Sequence, residues 1–108
     1  MTAQGHPRVI FNRAIERRNV VLAEATAREV GGLTLEEALK LVLLYADREP
    51  AKFERAALRW LSRYVIEGRA PSLLKASMAL AALSELRTAG ERQAAAKLLA
   101  ELARVRPA

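Results

Sequence analysis

Four basic residues fall on one side of a single helical segment: Lys52, Arg55, Arg59 and Arg63 in KFERAALRWLSRY. At 100° per residue they lie back to back with Phe53, Ala57, Trp60, Leu61 and Tyr64, which share a sector of roughly 100°, widened on one side by Leu58 and Val65. A basic stripe of this kind can follow a phosphate backbone, each contact adding to affinity and to its salt dependence. Single-strand binders usually set aromatics beside their cations so that bases can stack. Here the aromatics point away from the arginines, as they do when they fill a core. Arg8, Arg13, Arg17 and Arg18 form a second cluster, of which the last three join the candidate surface, with Arg13 and Arg17 one turn apart and Glu16 between them. These seven residues are the candidate surface for nucleic acid or another acidic partner. The alternative is a pair of solvated faces neutralised by Glu16, Glu54, Glu67 and other nearby acids.

Other chemistry finds little support in these residues. The one histidine, His6, stands in a Gly-His-Pro segment near the terminus, which leaves acid–base catalysis and triads without a credible member. Glu36-Glu37 opens a helix, where acids favour the macrodipole, and this local reason outweighs a paired-carboxylate or metal reading. Thr34 and Ser72 read as helix caps rather than nucleophiles. No Gly-rich phosphate loop or EF-hand pattern occurs. The absence of cysteine excludes disulfides, thiolate catalysis and cysteine zinc sites. The expectation is therefore a non-enzyme with no catalytic, cofactor-binding or metal residue and no cofactor.

The elements that must position the basic faces are helices throughout. Apolar residues recur at helical spacing and nothing alternates like a strand. Pro7 opens a first helix over about 8–17, with Val9, Ile10 and Ala14 inward and Phe11 and Ile15 as further inward candidates. Asn19 can cap a second helix over about 20–30, although one long helix over 8–30 stays open as an alternative. Gly31-Gly32 ends it. Thr34-Leu35-Glu36-Glu37 is a capping box for a third helix running to about Arg48. Pro50 starts a fourth, over about 51–67, which stops at Gly68. Pro71-Ser72 starts a fifth, to about Arg87, and Thr88-Ala89-Gly90 turns the chain into a sixth, to about Arg104.

Short connections imply antiparallel neighbours, so the predicted fold is all-α: six helices as three antiparallel hairpins, in a compact bundle or a short array of the HEAT or tetratricopeptide kind. Residues 34–66 laid on 72–104 share six identities, of which about three are expected by chance in so Ala- and Leu-rich a chain; repeat ancestry is not established. The third and fifth helices are apolar on nearly every face and are expected to be central or to meet a partner. Trp60, Phe53 and Tyr64 are the expected anchors of an alanine-rich core.

A helix-turn-helix reader is disfavoured. Its joint would be Asp47-Arg48-Glu49-Pro50, with two acids facing the groove, and the basic residues of the following helix are spread along its length rather than gathered at its start.

The bulk numbers agree with one domain. The 108 residues are 52% hydrophobic and 28% charged, ordinary for a soluble globular protein, with residues 1–7 expected to be a flexible N-terminus. The formal charge of +6 is spread as +2, +1 and +3 over residues 1–33, 34–69 and 70–108, so no block concentrates it. Arg over Lys, a single Asp and abundant Ala match a GC-rich bacterial gene. Neither a secretory h-region nor a bilayer-length apolar run is present, and a cytoplasmic protein without membrane association is expected. Two functional expectations follow. The first is a non-catalytic interaction or oligomerisation module, its partner another protein or a second copy. The second is a basic nucleic-acid-binding accessory protein using the Lys52/Arg55/Arg59/Arg63 face.

Overall fold

The computed structural model describes residues 6–67, 72–86 and 92–104. The expected stop at Gly68, the start at Pro71, the turn at Thr88-Ala89-Gly90 and residues 1–5 of the N-terminal segment lie outside the described residues. Within them are six helices and no strand: α1 (Pro7–Glu16), α2 (Val20–Val30), α3 (Leu35–Arg48), α4 (Pro50–Glu67), α5 (Leu73–Glu85) and α6 (Arg92–Ala103).

Local chemistry sets most of the helix ends. Pro7 is the first residue of α1, and the His6 side chain caps it by accepting from the Arg8 N–H at 3.2 Å. Residues 8–30 are two helices, not one. Arg18 takes a left-handed φ of 57°, and the Asn19 carboxamide oxygen accepts from the Leu22 N–H at 3.1 Å to start α2. Gly31, at φ 81°, ends α2 in the conformation that glycine adopts most cheaply. The Thr34 hydroxyl accepts from the Glu37 N–H at 3.1 Å, while the Glu37 carboxylate accepts from the Thr34 N–H at 2.9 Å. Ser72 caps α5 through the Lys75 N–H.

Three hairpins form, α1 with α2, α3 with α4 and α5 with α6. Further packing of α4 on α5 and of α6 on α3 closes the last four helices into a ring. A stacked array would instead repeat like helix against like helix, so the fold is a compact antiparallel bundle with the α1–α2 hairpin laid against α3. Two links at opposite ends of α3 fix the antiparallel sense of α6. Arg104 approaches Glu36 at 3.7 Å, and Arg92 approaches Asp47 at 3.7 Å.

The ring encloses the expected anchors. Trp60 is 1% exposed, stacks parallel on Tyr64 with ring centroids 5.5 Å apart, and donates its indole N–H to the Leu35 carbonyl at 2.8 Å. That bond satisfies the one polar atom that burial of the indole would otherwise strand. Phe53, Leu39, Val42, Leu83, Leu86 and Leu99 complete this core. A smaller core of Phe11, Ala14, Ala23 and Leu44 fastens the first hairpin to α3.

Two inward assignments need correction. Val9 is 46% exposed, because α1 turns Phe11 and Ala14 to its neighbours. Helix α5 is not central. It packs chiefly on α4 and α6, burying Ala79, Ala82 and Leu83, and its large apolar side chains Leu73, Leu74 and Leu80 are exposed.

Candidate interaction surfaces

The fourth helix carries its two stripes as the spacing requires, aromatics in the core and cations outside. The cations divide into two kinds. Lys52 donates to the Glu24 carboxylate at 2.8 Å, and the Tyr45 hydroxyl donates to the same carboxylate oxygen at 2.6 Å. The Lys52 ammonium also stands 5.9 Å from the centre of the Tyr45 ring. The Lys52 hydrogen bond, seconded by that of Tyr45, holds the Glu24 carboxyl below its usual range, and Glu24 in turn raises the Lys52 ammonium. Burial and then the Glu24 carboxylate push the Tyr45 phenol well above its ordinary value. One helical turn binds Arg63 to Glu67, at 2.7 and 3.0 Å, which depresses the Glu67 carboxyl.

Arg55 and Arg59 are exposed and form no ion pair with any of the described residues. They flank a shallow open trough of about 950 Å³ that runs over α4 from Glu24 and Tyr45 to Leu58 and Ser62. Arg13 and Arg17 are likewise exposed without a described ion pair, whereas Arg18 reaches Asp47 at the end of α3. The two basic clusters stay on separate elements, α1 packing on α2 and α3 while the stripe rides on α4.

Beyond Leu58, on the flank of α4 that faces α5, the trough gives way to an apolar region that periodicity did not single out. Leu58 and Leu61, with Glu54 beside them, face α5 across a groove of about 160 Å³ whose opposite wall includes Leu80, Leu83 and Ser84. Leu58 is 58% exposed and Leu80 50%. Towards the adjoining ends of α4 and α5, Ile66, Leu73 and Leu74 are 76%, 88% and 69% exposed. A cluster of large apolar side chains this open is unusual, since a soluble surface ordinarily scatters them singly. The only available signal was negative. Helix α5 lacks a polar face, so its pattern does not say which side is covered.

The remaining candidates are structural where the geometry can be read. Glu37 completes the α3 cap and accepts both branches of a contact from Arg8, at 2.5 and 2.6 Å. Glu36 faces Arg104. Among the described residues no group of three or more His, Asp or Glu is placed to hold a metal ion, and no helix is long and apolar enough to cross a membrane. No protein-family model, curated protein or solved structure matches this chain.

Proposed function

We propose that this chain is a non-catalytic helical module for protein–protein interaction, which docks through the outer face of α5 and the adjoining C-terminal half of α4. The observation that carries this reading is the exposure of Leu73 and Leu74 beside Ile66, Val65 and Leu80 on two neighbouring helices. Leaving such side chains in water forgoes roughly 1.5–3 kcal/mol each, and a partner surface would recover part of it. A photoreactive residue placed at Leu74 tests the reading in cells that make the protein. A control at Val21 is 78% exposed but lies on α2, away from this face. An adduct of defined mass at position 74 and not at 21 is expected. No adduct at 74, or the same pattern at both, would contradict it.

A second reading is favoured by Arg55 and Arg59, which have no described ion-pair partner beside an open trough. In that reading they hold phosphates, with Lys52 and Arg63 giving up their carboxylates to join them. Fluorescence anisotropy with labelled DNA and RNA at low and physiological salt decides it. Binding that falls steeply with salt and is lost in Arg55→Glu/Arg59→Glu would support a phosphate grip. No binding at low salt would dismiss it.

A further inference from the structure

Resting on the interaction reading above, we infer that the partner of the α4–α5 face is a second copy of this chain, paired through α5 antiparallel to its counterpart. The outer edge of α5 carries a seam at spacings of four, three and four: Leu73, Ser77, Leu80 and Ser84. At 100° per residue these fall within roughly 60°, the narrow stripe along which two helices pack knob into hole. All four are exposed. Large and small side chains alternate along the seam. Around a two-fold axis between residues 78 and 79, Leu73 of one copy meets Ser84 of the other, and Ser77 meets Leu80. A parallel pair would stack Leu on Leu and Ser on Ser, leaving the helices apart at one level and crowded at the next.

Three further observations fit this occupant. The Ser84 hydroxyl already donates to the Leu80 carbonyl at 3.0 Å, so a leucine can cover it without stranding a donor. Leu58 and Leu61 on α4, with Glu54 beside them, form the other wall of the groove into which the partner's α5 would settle. The exposed leucines of α4 and α5, with Val65 and Ile66, present an area on the order of 700 Å² by their fractional exposures, close to one partner's share of a standard interface.

Charge distribution favours a like copy over an acidic partner at this face. The chain carries +6 overall, yet α5 holds only Lys75 and Glu85 and is neutral. Lys52, Arg55, Arg59 and Arg63 lie roughly 60–140° around α4 from Leu58, on the flank opposite to Leu61. Two copies can therefore meet through α5 with their cationic stripes turned outward. An acidic partner would have its attraction on the other flank of α4.

Sedimentation equilibrium of the full chain tests the inference from about 1 to about 100 µM, where an interface of this size is expected to load. The weight-average mass should rise from 11.9 kDa towards twice that value and should not fall back in high salt. Leu73→Glu/Leu80→Glu should remain at the monomer mass with unchanged helical circular dichroism. Leu73→Glu alone, at a position 88% exposed, should weaken association at least tenfold if the double variant does not fold. A wild-type chain that stays monomeric throughout, or a Leu73→Glu chain that dimerises like wild type, overturns the inference.

Orientation has its own test, because the chain has no cysteine. Leu73→Cys protein mixed with Ser84→Cys protein should form the mixed disulfide. Self-linked Leu73→Cys, whose sites in the antiparallel pair stand about 16 Å apart along the axis, should not form at a comparable rate. Faster self-linking would overturn the antiparallel pairing. A monomeric chain that still yields an adduct to a different protein from position 74 would remove the second copy and leave the interaction reading standing.

Discussion

Helices α3 and α5 each carry a long apolar run, yet one is packed on most of its sides and the other stands at the rim. Helix α3 has α1, α2, α4 and α6 around it, so Leu35, Leu39, Val42, Leu44, Tyr45 and Ala46 are all buried. Helix α5 packs chiefly on α4 and α6 among the described residues and keeps three buried residues, Ala79, Ala82 and Leu83. The difference lies in what the chain lays beside each helix. A first hairpin covers the outer side of α3 through Phe11, Ala14, Ala23 and Leu44. Among the described residues no element covers the outer side of α5. Apolar side chains thus become core in one place and exposed surface in the other, and the neighbours laid against each helix decide which.

Truncation should separate the two regions sharply. Trp60→Ala removes the side chain that the ring encloses and the bond to Leu35, and should cost about 3–5 kcal/mol in chemical denaturation. Leu39→Ala in α3 should cost about 2–5 kcal/mol. Leu74→Ser in α5, measured on the dilute monomer, should change stability by no more than about 0.5 kcal/mol. Comparable losses at residues 39 and 74 would erase the distinction.

A smaller effect concerns the polar link between the hairpins. Tyr45→Phe leaves the packing of α3 but removes a hydrogen bond to the Glu24 carboxylate, and should cost about 1–2 kcal/mol. The Glu24 pKa is depressed in the folded chain, so its contribution is present above the ordinary value of 4.5 and is lost as pH falls through the lowered value. Stability should therefore decline on acidification below about 4.5, and less so in Glu24→Gln. An unchanged acid limb in that variant would show that Glu24 does not tie α2 to α3 and α4.

The smallest effect lies at the turn of the first hairpin. Arg18 holds a left-handed conformation that costs a non-glycine residue about 1 kcal/mol, partly offset by its contact with Asp47. Arg18→Gly should be at least as stable as Arg18→Ala, by up to about 1 kcal/mol in thermal or denaturant unfolding. The reverse order would mean that the Arg18 backbone is not strained.

Legibility followed the range of each interaction. Thr34 with Glu37, Asn19 with Leu22 and Gly31 act within a few residues, and the helix starts and stops they produce were readable as local chemistry. The inward aromatics of α4 were readable because that helix has a strong polar face opposite them. The pairing of Lys52 with Glu24, 28 residues away, was not, since only the packing of α2 and α4 on α3 brings them together. The same limit hid the open side of α5. A helix with two serines on its exposed seam, single charges at Lys75 and Glu85 and apolar residues elsewhere gives little phase for a hydrophobic stripe, so its covered side depends on neighbours distant in sequence.

The availability of that side is most directly measured by thiol labelling in α5, at sub-micromolar chain concentration. Leu74→Cys and Ala79→Cys place the only thiol of the chain on the outer and inner faces of the same helix. Position 74 is expected to react at the rate of a free thiol and position 79 only as the fold opens. Equal protection at both positions in the dilute monomer would mean that α5 is enclosed, and would contradict an interaction surface there.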